Sequence, residues 1–438
     1  MNDANQLENC SDPNGLQMQI SRPVSFLFLV LVSAAVLAWR APELLLKPQF
    51  WAEDGAIFFA QQYGDWWPHL FAPYWGYLHF LPRLVSWVAM PLGLRHQPFY
   101  YGLFGLIIDA LAVAYVTRKS GVFFLPIVVW LSLVLAPNDG LYTGYIQNIQ
   151  WFTQFALVAL CLLPRSAHAP ATKGRRGMEC MVVAACGLTG PFGVLVAGLA
   201  GAIYVLAKLP AGLYGMRDTA AAYWQTLAKE RIVVLILCSI MQLATTIASP
   251  IKDQLDPPRL GFIWKVFGLW SQDHFFGASF LPAGLFVPVI LVLAFVFFNA
   301  RAIPANKRLL CMLLLGMAIA ELLLGALKQG AIEAGMMGGD RYYLIGKTCA
   351  WWIVPSIVAL FVRDPRAPVA MTIGAMFAIA VMNPAWMRRA PLPDMNWKAQ
   401  ADALDAGQSV ELRINPSWWD KRLTLPASSH PTRPTSSP

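Results

Sequence analysis

Two adjacent carboxylates, Glu53 and Asp54, stand in the stretch Phe50-Trp51-Ala52-Glu53-Asp54-Gly55, directly after the first apolar run of the chain. Charge in or beside hydrocarbon is costly, so an acidic pair at a membrane edge is a candidate functional site. Carboxylates so placed suit proton transfer or ligation of a hard cation. Two further polar groups lie beside apolar runs: His79-Phe80-Leu81-Pro82-Arg83, and Gly338-Gly339-Asp340-Arg341-Tyr342-Tyr343. Asp139, in Asn138-Asp139-Gly140, is another candidate acid. Each has a plainer reading. The acidic pair also reads as a solvated loop tip, His79 as a satisfied interfacial histidine, and Asp139 as a turn former. Arg341 also reads as an interfacial arginine snorkelling beside Asp340.

Several other chemistries lack their motifs. There is no Gly-rich phosphate loop ending in lysine, no His-Glu-x-x-His and no Gly-x-Ser-x-Gly elbow. The seven cysteines are Cys10, Cys161, Cys180, Cys186, Cys238, Cys311 and Cys349; most fall within or at the ends of apolar runs, without metal-type pairing. They read as small buried hydrophobes.

The elements that must position these residues follow from composition. The chain has 438 residues, 57% hydrophobic and 13% charged, with mean hydropathy +0.51. Apolar runs of a length that crosses about 30 Å of hydrocarbon recur along it. The expectation is an all-α polytopic membrane protein with about 10–11 transmembrane or re-entrant helical segments. The run at about 23–39 ends in Trp-Arg-Ala-Pro, not at a small-residue cleavage site, and reads as a retained span. The net charge of +9 does not imply nucleic acid, because the basic residues sit in short loops between apolar runs, where they set topology and meet anionic headgroups.

Those basic loops orient the chain. If the run at 78–94 stays on the outer face, then Arg118 and Lys119, and Arg165, Lys173, Arg175 and Arg176, face the cytoplasm. The loop with Lys208, Arg217, Lys229 and Arg231 does so only if the run at 179–207 enters and leaves on one side. That run is broken at Gly187-Leu188-Thr189-Gly190-Pro191-Phe192-Gly193, which predicts a re-entrant hairpin or two short tilted helices. The N-terminus is then inside and the C-terminus outside. A large first outer loop, about 40–98, is dense in Trp and Tyr and predicts interfacial helices. A helix from Trp397 to about Ala406 and a strand from Val410 to Pro416 are expected late in the chain. The expected division is a membrane domain at 1–385, a small outer-face segment at 386–425 and a disordered Ser/Pro/Thr-rich tail at 426–438.

In this organisation the chain resembles the GT-C superfamily, integral-membrane glycosyltransferases that use polyprenyl-phosphate sugars. It is closer to bacterial multispan proteins that carry an Ala-Glu-Asp-Gly stretch, an Asp-Arg-Tyr-Tyr stretch and a late Asn-Pro before Trp. Here these are Ala52–Gly55, Asp340–Tyr343 and Asn415-Pro416-Ser417-Trp418. The His-Pro-Pro of many superfamily members is absent; the chain has His79-Phe80-Leu81-Pro82-Arg83.

The resemblance implies an enzyme of the bacterial inner membrane. It would transfer a sugar from a polyprenyl-phosphate-linked donor to a glycan or lipid acceptor on the outer face. Asp54 would be the base for the acceptor hydroxyl. Glu53 would orient Asp54 or hold a divalent cation, Mg or Mn, on the phosphate. Arg341 and Arg83, with His79, would face the donor phosphate, since the guanidinium fork matches phosphate geometry. Asp139, Asp340 and Tyr342 complete the candidates. Two other classes compete: a transporter or flippase of lipid-linked sugars, resting on Asp109, Glu321 and the Gly190-Pro191 break, and a non-catalytic scaffold, which leaves the acidic pair unexplained.

Overall fold

The structure, a computed structural model, describes residues 25–121, 123–136, 138, 143–165, 172–210, 216–249, 283–333, 341–362, 364, 366–382, 384–417 and 423–426. The fold is mostly helical. Helix α1 (Phe26–Arg40) leads through a single turn, α2 (Glu43–Leu46), into the acidic stretch. A π-helical turn, Asp54–Phe59, continues into α3 (Ala60–Gln62). Strands β1 (Pro73–Tyr74) and β2 (Tyr77–Leu78) form an antiparallel hairpin, followed by α4 (Phe80–Ala89). Then come α5 (Gln97–Ser120), α6 (Pro126–Val134), α7 (Gln150–Cys161), α8 (Lys173–Gly187), α9 (Phe192–Lys208), α10 (Met216–Thr226) and α11 (Lys229–Ala248). Later helices span Ala283–Asn299, Ala305–Glu333, Leu344–Phe361, Ala367–Met382 and Trp397–Asp405. A second hairpin pairs β3 (Val410–Glu411) with β4 (Thr424–Leu425).

Three helical segments among the described residues are long and apolar enough to cross a membrane: Leu94–Ser120, Lys229–Ala248 and Arg341–Phe361. Other apolar runs form shorter helices. The 15 residues of α1 and the 9 of α6 rise about 22 and 14 Å at 1.5 Å per residue, less than a hydrocarbon core. Pro126 starts α6 late in its run. The broken run at 179–207 is two helices, and α8 begins earlier than expected. Thr172 caps it, its Oγ1 accepting from the Arg175 N–H at 3.3 Å, so the basic loop supplies the first turn.

The segment expected as the first outer loop is a packed unit. Phe58 and Phe59 are buried, while Trp66, Trp67 and Phe71 are exposed. Its longest helix is α4, with Arg83 and Val85 on the buried side. The expected C-terminal helix is present, one residue shorter. The expected strand pairs only at Val410–Glu411, because the chain at Asn415 leaves β4 and joins the first outer loop. The expected disordered tail lies almost wholly outside the described residues.

Two large apolar cores result among the described residues, with a small third cluster at Leu78, Leu188 and Cys238. The larger runs through α5, α7, α9 and the helix Leu344–Phe361, around Phe155, Leu160 and Trp352. The smaller joins the acidic stretch to the C-terminal segment, through Phe50, Phe59, Tyr101, Trp397 and Ile414.

Candidate functional site

The acidic stretch is held from both ends of the chain. The Asn415 N–H donates to the Phe50 carbonyl at 3.0 Å, and the Ala52 N–H donates to the Asn415 carbonyl at 2.5 Å, bracketing Trp51 in a parallel bridge. Ala52 then adopts φ +41°, a left-handed conformation costly for any residue with a Cβ. That turn swings the chain from the bridge into the π-helical turn that carries the acids. Such turns recur at functional sites. Gly55 permits the close approach: a Cβ there would sit 2.8 Å from Ile414 Cγ2 and 2.9 Å from Phe50 Cβ. Phe50 meets Trp397 edge-on, with ring centroids 4.7 Å apart.

One residue grips both acids. The Gln147 N–H donates to Asp54 Oδ1 at 3.0 Å, and the Gln147 side-chain oxygen accepts from the Glu53 N–H at 3.1 Å. The Ile146 N–H donates to Asp54 Oδ2 at 3.2 Å. Asp54 therefore closes the turn that starts α7. It is 2% exposed, with both oxygens taken by backbone. Burial pushes its carboxyl well above the usual range; the Glu53 charge adds to this, while the two amides and Arg389 pull the other way. Behind it, Arg389 pairs with Glu43, and its guanidinium lies 4.3 Å from the Tyr145 ring centroid. Arg40 secures the same corner through the carbonyls of Met387, Val134 and Trp386.

Glu53 faces a different set of partners. The Tyr74 hydroxyl donates to Glu53 Oε1 at 3.5 Å. Glu53 and Tyr77 both act electrostatically on Arg341, and Arg341 hydrogen-bonds Tyr342. The Arg341 guanidinium lies 5.3 Å from the Tyr342 ring centroid, and Tyr342 meets Trp151 edge-on at 5.2 Å. Burial raises the pKa of both Tyr74 and Tyr77, so both hydroxyls stay protonated and able to donate. Tyr77 also hydrogen-bonds Gln150.

The hairpin that presents these tyrosines turns at Trp75 and Gly76, both at positive φ. It is pinned to α11 and to the α8–α9 break. Gln242 accepts from the Leu78 N–H at 2.8 Å and donates to the carbonyls of Leu78, Gly187 and Gly190. Thr246 donates to the Gly76 carbonyl at 2.7 Å, and the Gly190 N–H donates to the Leu78 carbonyl at 2.9 Å. Gly190, at φ +80°, lies so close to the Gln150 side chain that no Cβ would fit. The helix break thus forms a socket for the hairpin.

Of the residues expected from sequence, the structure gathers Glu53, Arg341 and Tyr342. Asp54 adjoins them but is turned inward. Arg83 is 2% exposed, donates from Nε to the Ala72 carbonyl at 2.9 Å and lies over the Phe58 ring. Burial lowers its pKa to about 10. As placed, it props the loop from within. His79 is buried among the rings of Phe58, Tyr74 and Tyr77. Asp139 and Asp340 lie outside the described residues. Asp109 accepts from the Gly144 N–H at 2.9 Å, tying α5 to the outer loop. Sequence reasoning missed Tyr74, Tyr77, Gln147, Gln150 and Gln242. Gln242, a lone amide inside an apolar run, carried a readable signal; the tyrosines were hidden among many interfacial aromatics.

A divalent cation prefers several oxygens. Among the described residues no three His, Cys, Asp or Glu side chains gather to hold one, and the Asp54 oxygens are occupied by amides.

The chain matches no protein-family model and no curated protein. Two solved structures of an Archaeoglobus fulgidus oligosaccharyltransferase are similar to it. One, a complex with Zn and sulfate, has TM-score 0.46 and 12% identity over 92% of this chain and 58% of that chain. The other, tethered to an acceptor peptide, has TM-score 0.45 and 14% identity over 87% of this chain and 57% of that chain. The chain thus spans less than three fifths of that protein's length.

Proposed function

We propose that this chain transfers a sugar from a polyprenyl-phosphate donor to a cell-surface glycan or lipid acceptor on the outer face of a bacterial inner membrane, as the GT-C resemblance implies. The observation that carries the reading is that Glu53, hydrogen-bonded by Tyr74, lies within electrostatic reach of Arg341 at the end of a helix long enough to cross a membrane, with Tyr77 acting on the same guanidinium. A carboxylate beside a guanidinium at headgroup depth suits a reaction that consumes a hydroxyl proton and releases a lipid phosphate.

In this reading Glu53 is the base and Asp54 the positioning residue. Glu53 accepts the proton of the acceptor hydroxyl as its oxygen bonds the anomeric carbon. The bond from that carbon to the phosphate oxygen breaks, and polyprenyl phosphate departs with the electron pair, facing Arg341. The Tyr74 hydroxyl fixes the carboxylate, and Tyr77 lies beside Arg341 and donates toward the departing charge. Asp54 holds the turn from which Glu53 projects. Two of the features that favoured a transporter have other partners: Asp109 secures Gly144, and the Gly190-Pro191 break seats the hairpin, while Glu321 is buried with neither carboxylate oxygen hydrogen-bonded among the described residues.

Arg341 tests the donor class. Arg341→Lys keeps the charge but loses the two-pronged contact, and should reduce transfer about 10-fold or more. Arg341→Ala should lose more, about 10²–10³-fold, as for removal of a group that stabilises developing charge, and should weaken binding of a polyprenyl-phosphate hexose. If Arg341→Ala leaves binding and transfer at wild-type levels, the arginine is an interfacial anchor and the donor assignment fails.

A further inference from the structure

At the other end of α5 from the acidic stretch lies a second charged cluster. Lys119 is 22 residues along α5 from Gln97, about 33 Å at 1.5 Å per residue. It lies within electrostatic reach of Arg231, Glu179, Arg175 and Arg165, which come from α11, α8 and the chain after α7. Tyr115, one turn back on α5, feels Arg231, Glu179 and Arg175 as well.

The charges here do not cancel. Arg231 is buried; it pairs with Glu179, and its Nη1 donates to the Leu160 carbonyl at 2.9 Å. Its Nε is buried with no partner among the described residues. Arg175 reaches the same Glu179 at 3.2 Å, its side chain 57% exposed. Arg165 pairs with Glu230. Lys119 makes no hydrogen bond or ion pair among the described residues, and is half-buried. Four cations therefore share two carboxylates. Stacking like charges where three segments converge at the end of a long apolar helix is unfavourable unless an anion joins them. An isolated surface lysine would only set topology. Lys119 instead lies within electrostatic reach of a buried, doubly anchored arginine.

We propose that Lys119, Arg175 and Arg231 form a binding site for the phosphate of an anionic phospholipid in the leaflet opposite the Glu53 site. The depth fits: α5 is apolar to within a turn of Lys119, so the acyl chains would lie along it while the headgroup meets the cations. A phospholipid fits better than a soluble phosphate compound because this apolar flank continues directly from the charged cluster.

The test uses the full chain in detergent with equimolar phosphatidylglycerol and phosphatidylethanolamine, read by native mass spectrometry. The wild type should retain phosphatidylglycerol preferentially. Lys119→Ala with Arg175→Ala should lower that preference about 30-fold, two cation contacts at about a kcal/mol each. Arg366→Ala, an exposed cation in a different loop, should leave it unchanged. Both cluster substitutions lie at half-buried or exposed positions, so folding is checked by an unchanged thermal midpoint. Equal retention of the two lipids by the wild type, retention unaltered in the double variant, or an equal loss in Arg366→Ala would each overturn the site. Displacement of the lipid by millimolar inorganic phosphate would overturn the lipid assignment in favour of a soluble phosphate ligand.

Discussion

Adjacent in sequence, Glu53 and Asp54 turn into different surroundings, and the roles proposed for them rest on that difference. Asp54 has two backbone amides on its carboxylate and almost no exposure, while Glu53 meets a tyrosine hydroxyl and acts on Arg341. The sequence made the pair conspicuous but ranked Asp54 as the base. Residue type and spacing do not report which of two neighbouring side chains faces inward; that depends on the π-helical turn and on Ala52. Asp54→Asn presents an NH2 to one of the two amides and leaves a buried N–H without an acceptor. It should cost about 1–3 kcal/mol, seen as a lower thermal midpoint in detergent. Transfer should fall with the fraction of well-formed site. A fully stable but inactive Asp54→Asn would return the base role to Asp54.

At the scale of elements, the site depends on contacts between segments far apart in the chain. Phe50–Gly55 is seated on Asn415 and Ile414, and the Tyr74–Tyr77 hairpin on Gln242 and the α8–α9 break. The break at Gly187–Phe192 and the helix beginning at Trp397 were legible in the sequence, because Gly-Pro punctuation and helical periodicity are local signals. The docking of the C-terminal segment on the first outer loop was not, since pairing across more than 350 residues leaves no periodic trace. The short Val410–Glu411 strand shows the same limit: its run reads as a longer strand, but Asn415 is claimed by a different partner. Gly55→Ala should drive a methyl into Ile414 and Phe50. We expect about 1–3 kcal/mol of destabilisation, typical of overpacking, together with faster proteolysis after residue 390. Adding Ile414→Ala, which removes Cγ2, should recover part of the loss. No recovery would mean that Gly55 acts through backbone freedom alone.

For the whole molecule, the proposed orientation puts the site on one side of a membrane and the arginine-rich loops on the other. Hydropathy made the membrane class plain, and three segments among the described residues have the length and composition to cross. The fuller count expected from sequence reads several runs as spans whose helices are 9–17 residues long, because proline and glycine cut them. In a background without native cysteines, a cysteine at Trp66 should react with an impermeant reagent applied to intact cells, and one at Arg176 should not. Labelling at both positions, or at Arg176 alone, would invert the orientation and with it the outer-face site.

In the proposed reaction Glu53 removes the acceptor proton while Arg341 holds the donor phosphate. The most direct measurement is release of polyprenyl phosphate from a panel of polyprenyl-phosphate hexoses and pentoses. The purified chain would be supplied with envelope extract from cells lacking it as the acceptor source. The wild type should release polyprenyl phosphate only when both donor and extract are present. Glu53→Gln should bind the donor as tightly, melt within about 0.5 kcal/mol of wild type, and release product about 10²–10⁴-fold more slowly, the usual cost of losing a general base. Wild-type turnover in a well-folded Glu53→Gln protein, or no release by the wild type with any donor of the panel, would contradict the account.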